Sequence, residues 1–370
     1  MANNIKHINK SMLEQGLVFK KQGQKLAGHT DKGIFRVHDN SETFDKKREE
    51  RFGFLDKKPQ NSLYFGGLFR ALMQKNCHYV TYLNGEFVGK KKSEIELPDD
   101  VECAVKEISA KNNLYKDTDM FYFGEVVGSR LSNLMGISTV YNVAFEDEDS
   151  YKKQRAKEMG WGDYVDYKYL FSVNFLAEGY LAYSFEDLGF DFNDQTPISV
   201  ILEQVEAGYN GLCKFHNIST DPKSLASIKK EMTRHYLFRT MFCEDGDWSA
   251  KNSCLMVSPE GNVSMGPGFD YEYLSRGRRA RSYFRETAMQ NLTIIKAEIP
   301  EIFNAFLAKC EEVVANGKLE DVVHNALVVK ERNKENVHNI YERLVANVEM
   351  LREVSNTIDK KSKVNDYGEM

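Results

Sequence analysis

Three oxygen-bearing side chains stand at the bends of one short stretch. In FCEDGDWSAKNSCLMVSPEGNVSMGPGFDYEYL, residues 242–274, Asp247 and Asn252 precede two apolar runs, SCLMV and NVSMG, and Asp270 follows them. The runs read as strands joined by the turn SPEGN. A hairpin brings its two ends side by side, so Asn252 and Asp270 can enter the coordination sphere of one cation. Magnesium takes few protein oxygens and fills its octahedron with water and phosphate. One amide oxygen and one carboxylate meet that demand. Asp247, five residues before Asn252, would then face the group that attacks the phosphate. The plain alternative is turn chemistry, since Asp, Asn and Gly favour bends for local reasons. A lone Asp-x-x-x-x-Asn pair is common by chance, whereas helix, loop, hairpin and Asp in that order is far more selective.

The elements that must position these groups fall into two halves. Residues 1–60 are polar and form an N-terminal extension of uncertain structure. Strand patterns then dominate from 61 to 177: CHYVTYLNGEFVG with Asn84-Gly85 as a turn, VECAVKEIS, STVYNVAF and YKYLFSVNFLAEGYLAYS. One helix interrupts them, FYFGEVVGSRLSNLMG, with an apolar stripe at Phe123, Val127, Leu131 and Leu134 and a stop at Gly136. Residues 178–358 read as helices around the embedded hairpin. Ile198, Ile201, Val205, Tyr209, Leu212 and Phe215 share one face, and Asp221-Pro222 opens the helix that leads into the Asp247 loop. The tail, 359–370, reads as loose. The expected architecture is α+β and bilobal: a small antiparallel-sheet lobe with one key helix, then a mostly helical lobe.

Asp247-x-x-x-Lys251-Asn252, a hairpin, then Pro267-Gly268-Phe269-Asp270 resembles the catalytic and metal-binding loops of the protein-kinase-like superfamily, and within it the HipA-like serine/threonine kinases. The resemblance implies ATP and Mg²⁺ as cofactors and a protein Ser or Thr as acceptor. It casts Asp247 as base, Asn252 and Asp270 as metal ligands, and Lys251 as the cation beside the transferred phosphoryl group. It also requires a strand lysine on the α- and β-phosphates and a helix glutamate to fix that lysine. Lys106 in CAVKEIS and Glu125 on the helix fit. Glu125 shares a helix face with Gly128, Ser129 and Ser132, and small residues there would let the helix approach the sheet. Adenine is expected against Phe175 to Glu178. The phosphates are covered either by the hairpin holding Gly85 and Gly89, the preferred choice, or by LAGHTDKG with Gly28 and Lys32. No His-Arg pair precedes Asp247; Gly246 stands there, and Asp245 rivals Asp247 for the base role.

Composition narrows the remainder. A net charge of -5 argues against nucleic acid as a partner of the whole chain. Cys77, Cys103, Cys213, Cys243, Cys254 and Cys310 are scattered, without zinc-ligand or disulfide-framework spacing, which fits a reducing cytosol. No apolar run reaches the length of a membrane span, and the first residues hold no apolar signal core, so a cytoplasmic chain is expected. An arginine cluster runs from Arg276 to Arg285 and suits an acidic or phosphorylated ligand, or equally a solvated loop. Transfer to a small-molecule hydroxyl, transfer of AMP, and a pseudokinase-type binding module remain open alternatives.

Overall fold

The computed structural model describes residues 31–38, 62–64, 100–107, 118–140, 142–146, 167–173, 180–275, 281–327, 329 and 331–368. Strands β1 (Asp31–His38), β2 (Ser62–Tyr64), β3 (Asp100–Glu107), β4 (Asn142–Glu146) and β5 (Tyr167–Val173) form one sheet in the order β2-β1-β3-β5-β4. All neighbours are antiparallel except the β1–β2 pair, which is parallel. β1 lies inside the stretch expected as an N-terminal extension, so the strand-rich half begins by Asp31. Helix α1 (Thr118–Leu134) follows β3. Its expected stripe, Phe123, Val127, Leu131 and Leu134, is buried, and Gly136 ends it at φ +69.

The second half holds a smaller antiparallel sheet, β6-β7-β8, from β6 (Leu181–Ser184), β7 (Cys254–Val257) and β8 (Val263–Met265). The last two are the expected hairpin. Around it pack α2 (Ile198–Phe215), α3 (Pro222–Tyr236), α4 (Arg281–Glu298), α5 (Pro300–Ala315), α6 (Lys318–Asn325) and α7 (Lys334–Gly368). Asp221 caps α3, accepting from the Lys223 and Ser224 amides, with Pro222 at the first position. Two expectations fail. Phe215 was placed on the dry face of α2 but is 74% exposed, because it closes the helix after the last packed turn. The tail read as loose from 359 continues α7 to Gly368. Among the described residues no helix is long and apolar enough to cross a membrane.

The polar side of α1 is buried as well. Glu125, Ser129 and Ser132 are each no more than 1% exposed. Tyr271, the residue after Asp270, meets Glu125 and Ser132, while Ser129 bonds Val140 and Asn142. A Cβ built on Gly128 would land on the Cβ and ring carbons of Tyr271, well inside contact distance. In an open helix, replacing glycine by alanine stabilises by roughly 0.5–1 kcal/mol. Here the sign reverses. Gly128→Ala is expected to destabilise by about 1–3 kcal/mol, the cost of overpacking. Urea denaturation measures it, and a midpoint at or above that of the parent would show that Tyr271 does not pack there.

Candidate active site

α3 runs without a break into a six-residue π-helical turn, Leu237–Phe242, and all six side chains are buried. Widened turns of this kind re-aim a side chain within a continuous helix. Here the side chain is Arg239, 0% exposed, in the run HYLFRTMF. Its guanidinium joins two loops. Nε donates to the Asp245 carboxylate at 2.8 Å, and Nη2 donates to the same oxygen. Nη1 donates to the carbonyl of Phe269 and Nη2 to that of Asp270, both at 2.6 Å. The cation also lies over the Tyr271 ring, 4.5 Å from its centroid. One planar fork therefore fixes the start of the Asp247 loop against the Asp270 bend.

From that anchor the three expected oxygens can be placed. The second oxygen of Asp245 accepts the Asp247 amide at 3.3 Å. Asp247 is half-buried, and its Oδ1 lies 3.1 Å from Lys251 Nζ. A partly exposed pair of this kind adds little stability, but it sets a cation beside the carboxylate. Asn252, 5% exposed, donates from Nδ2 to the Asp247 carbonyl at 2.8 Å, which commits the nitrogen to the loop and gives Oδ1 a fixed direction. Asp270 has φ +66, a left-handed conformation that a non-glycine residue keeps only when its surroundings enforce it. Arg239 enforces it from the carbonyl side. Glu125 enforces it from the other side, its Oε2 accepting the Tyr271 amide at 3.0 Å.

Hydrogen bonds thus link Asp247, Lys251 and Asn252 within one loop, tie the Asp270 carbonyl to the start of that loop through Arg239, and tie Glu125 to the amide that follows Asp270. Asp245 is corrected. It is completely buried in the ion pair with Arg239, so it holds the loop and cannot meet a substrate hydroxyl. Burial pushes its carboxyl upward while the guanidinium opposes that shift. Lys106 is placed by register, opposite Leu170 on β5 and Lys32 on β1. The proposed Lys106–Glu125 contact lies outside what is described, since the Lys106 side chain is not. Gly28, Gly85, Gly89, Phe175 and Glu178 also lie outside the described residues, as do Arg276, Arg278 and Arg279, while Arg281 and Arg285 open α4.

Several contributors were not anticipated. Asn142 donates from Nδ2 to Glu125 Oε2 and to the Glu125 carbonyl, each at 3.2 Å, and accepts from Ser172. Gly268 pairs with the segment after α1, its amide donating to the Ser138 carbonyl and its carbonyl accepting from the Val140 amide. Tyr271 links its hydroxyl to Thr139 at 3.0 Å and to Ser132 at 3.4 Å. His235 lies under Gly268, with ring atoms 3.2 Å from where a Cβ would stand. Neither these residues nor Arg239 was anticipated; the one signal for Arg239 is a charge within the apolar run HYLFRTMF.

Similarity to known proteins is remote. No family model matches the chain, and no curated protein matches it. Among solved structures, HipA of a Shewanella oneidensis MR-1 toxin–antitoxin system, solved with HipB and operator DNA, is similar at 13% identity and a TM-score of 0.46, over 91% of this chain and 76% of that one. The Helicobacter pylori proinflammatory kinase CtkA is similar at 12% identity and a TM-score of 0.41, over 71% of this chain and 92% of that one. At such scores the likeness carries no functional weight; the hydrogen bonds of the site do.

Two outcomes are expected. Arg239→Met leaves the Asp245 carboxyl buried without a counter-charge, at a cost of about 3–5 kcal/mol, whereas Arg239→Met with Asp245→Leu loses much less. Chemical denaturation compares them, and a double variant no more stable than the single one contradicts the pairing. The second concerns pH. Burial, aided by the Arg239 and Arg234 charges, lowers His235 from 6.5 to about 3. A folded pKa below the unfolded one means the unfolded chain binds the extra proton. This contribution is therefore complete above pH 6.5 and fades as pH falls toward 3, by up to about 1.4 kcal/mol per unit. His235→Gln should flatten that part of the stability–pH curve, and parallel curves for parent and variant would exclude it.

Proposed function

We propose that the chain is a protein-kinase-like phosphotransferase that moves the γ-phosphoryl group of Mg·ATP to the hydroxyl of a protein Ser or Thr. The observation that carries this reading is the Arg239 fork, which binds the Asp245 carboxylate and the Phe269 and Asp270 carbonyls together. No simple turn needs a buried cation to hold two loops in one register.

The donor set suits magnesium with a polyphosphate. Asn252 spends its amide nitrogen on the Asp247 carbonyl, so its oxygen is the atom offered. Asp270 adds a carboxylate on a backbone fixed from both sides. Two protein oxygens are few, as magnesium accepts when phosphates supply others. When bound, the cation would neutralise charge developing on the phosphate oxygens. Everything else falls to the chain. Asp247 orients the acceptor hydroxyl and takes its proton late, as the new O–P bond forms and the bond from the γ-phosphorus to the bridging oxygen breaks to release ADP. Lys251 balances charge on the group in flight. Lys106 would hold the inner phosphates. Lys32 stands opposite Lys106 in the sheet, so the start of β1 lies at the strand end that carries Lys106.

Conservative variants separate binding from transfer. Asp270→Asn is expected to abolish Mg·ATP-dependent thermal stabilisation. Asp247→Asn should keep that stabilisation while label transfer from γ-labelled ATP falls by a hundred-fold or more, on the order expected for losing a general base. Retained transfer in both variants contradicts the assigned roles. Label arriving from α-labelled ATP instead would identify transfer of AMP.

A further inference from the structure

Arg239 has a counterpart that contacts the same two segments. Arg343, on α7, donates from Nη2 to the Leu274 carbonyl at 2.6 Å. Its Nε lies 3.6 Å from the Glu244 carboxylate, with the two side chains only 13% and 11% exposed. Glu244 immediately precedes Asp245. Two adjacent acids of the loop thus each face an arginine, and each arginine also holds a carbonyl from the Phe269–Leu274 segment. One helical turn further along α7, the buried Asn347 donates from Nδ2 to the Phe242 carbonyl at 2.9 Å.

The backbone between these anchors is strained. Glu244 has φ +52, left-handed for a non-glycine residue. Such a conformation costs on the order of 1–3 kcal/mol and survives where its surroundings over-determine it. The chain leaves the π-helical turn here, with the Asp245 amide donating to the Arg239 carbonyl at 2.8 Å. A single bridging guanidinium fixes the separation of two segments but leaves them able to rock about it. A second bridge, to Glu244 and Leu274, restrains that freedom.

We propose that Arg343 is a positioning residue: through it, α7 sets the tilt of the Asp247 loop at Glu244 and of the post-Asp270 segment at Leu274. Its consequence for turnover rests on the phosphotransferase reading, whereas the mechanical role rests on the contacts alone. Arg343 touches no reacting atom. Its loss is therefore expected to slow transfer more than it weakens ATP binding, because the contacts it makes lie at Glu244 and Leu274 and not at Asn252 or Asp270.

Amide hydrogen exchange on the full chain tests the mechanical part, and ADP release from Mg·ATP tests its consequence. In Arg343→Gln, amides of 245–252 and 271–275 should exchange about ten-fold faster or more, the effect of losing the charge that faces Glu244 and weakening the bond to the Leu274 carbonyl, while α2 and α5 keep their protection. Arg343→Lys keeps the charge facing Glu244 but lacks the fork, so it restores 245–252 and not 271–275. Glu244→Gln, which leaves the Leu274 bond intact, should loosen 245–252 alone. For turnover, Arg343→Gln should lower kcat about ten-fold with KM for ATP within about two-fold of the parent. Unchanged exchange, a uniform rise across α2 and α5, or identical patterns for the Lys and Gln variants overturns the proposal. A parent chain that neither binds nor turns over Mg·ATP, yet shows the exchange pattern, removes the phosphotransferase reading and leaves the positioning role standing.

Discussion

A guanidinium with no access to water is the constraint on which the rest of this molecule depends. Removing Arg239 and Asp245 from solvent costs several kcal/mol for each ion, and their attraction returns that cost only if the remaining donors and acceptors are also met. The fold meets them. The Asp245 carboxylate takes two of the Arg239 nitrogens as well as the Asp247 amide, and the carbonyls of Phe269 and Asp270 take the rest of the fork. A pair of this kind is a poor source of stability, and apolar residues of the same volume would serve a core as well or better. What apolar residues cannot do is choose a register. The Arg239 fork accepts the two loops in one arrangement, the one that brings Asp247, Asn252 and Asp270 to the same hairpin.

The support for that arrangement is layered around Tyr271. Its amide is held by Glu125, its ring lies under Arg239, its hydroxyl reaches Thr139 and Ser132, and its Cβ occupies the space left by Gly128. Helix α1 belongs to the strand-rich half and the Asp270 bend to the helical half. Tyr271 joins the two, beside the pairing of Gly268 with Ser138 and Val140. The positive φ of Asp270 is maintained on either side, by Arg239 at its carbonyl and by Glu125 at the next amide. The carboxylate direction is thus set by backbone contacts and does not depend on a flexible side chain alone.

Local patterns were legible in the sequence, and distant ones were not. The Asp247–Asn252 spacing, the hairpin and the Asp270 bend could be read because they lie within thirty residues and follow turn chemistry. The stripes of α1 and α2 were read from helical periodicity, which failed only at Phe215, where the packed turns end. The small and polar face of α1 was read as an approach surface, but its occupant was not foreseen, since Tyr271 is far along the chain from Glu125. Asp245 and Asp247 are equivalent on paper. Only burial tells the structural carboxylate from the accessible one, and burial is a property of the assembled fold. Arg239 went unused for the same reason, because a single arginine in a helix pattern has no visible partner until the loops six and thirty residues on close over it.

The order of strands in the larger sheet carries a consequence for how the chain assembles. Arg239 reaches partners between Asp245 and Asp270, all nearby along the polypeptide. β1 must instead find β3 across everything between residues 38 and 100. Closing the longer loop costs more entropy before any contact repays it, and such pairings slow folding. On a ribosome, the strand bearing Lys32 is made first and waits, its edge unsatisfied, until β3 emerges to receive it.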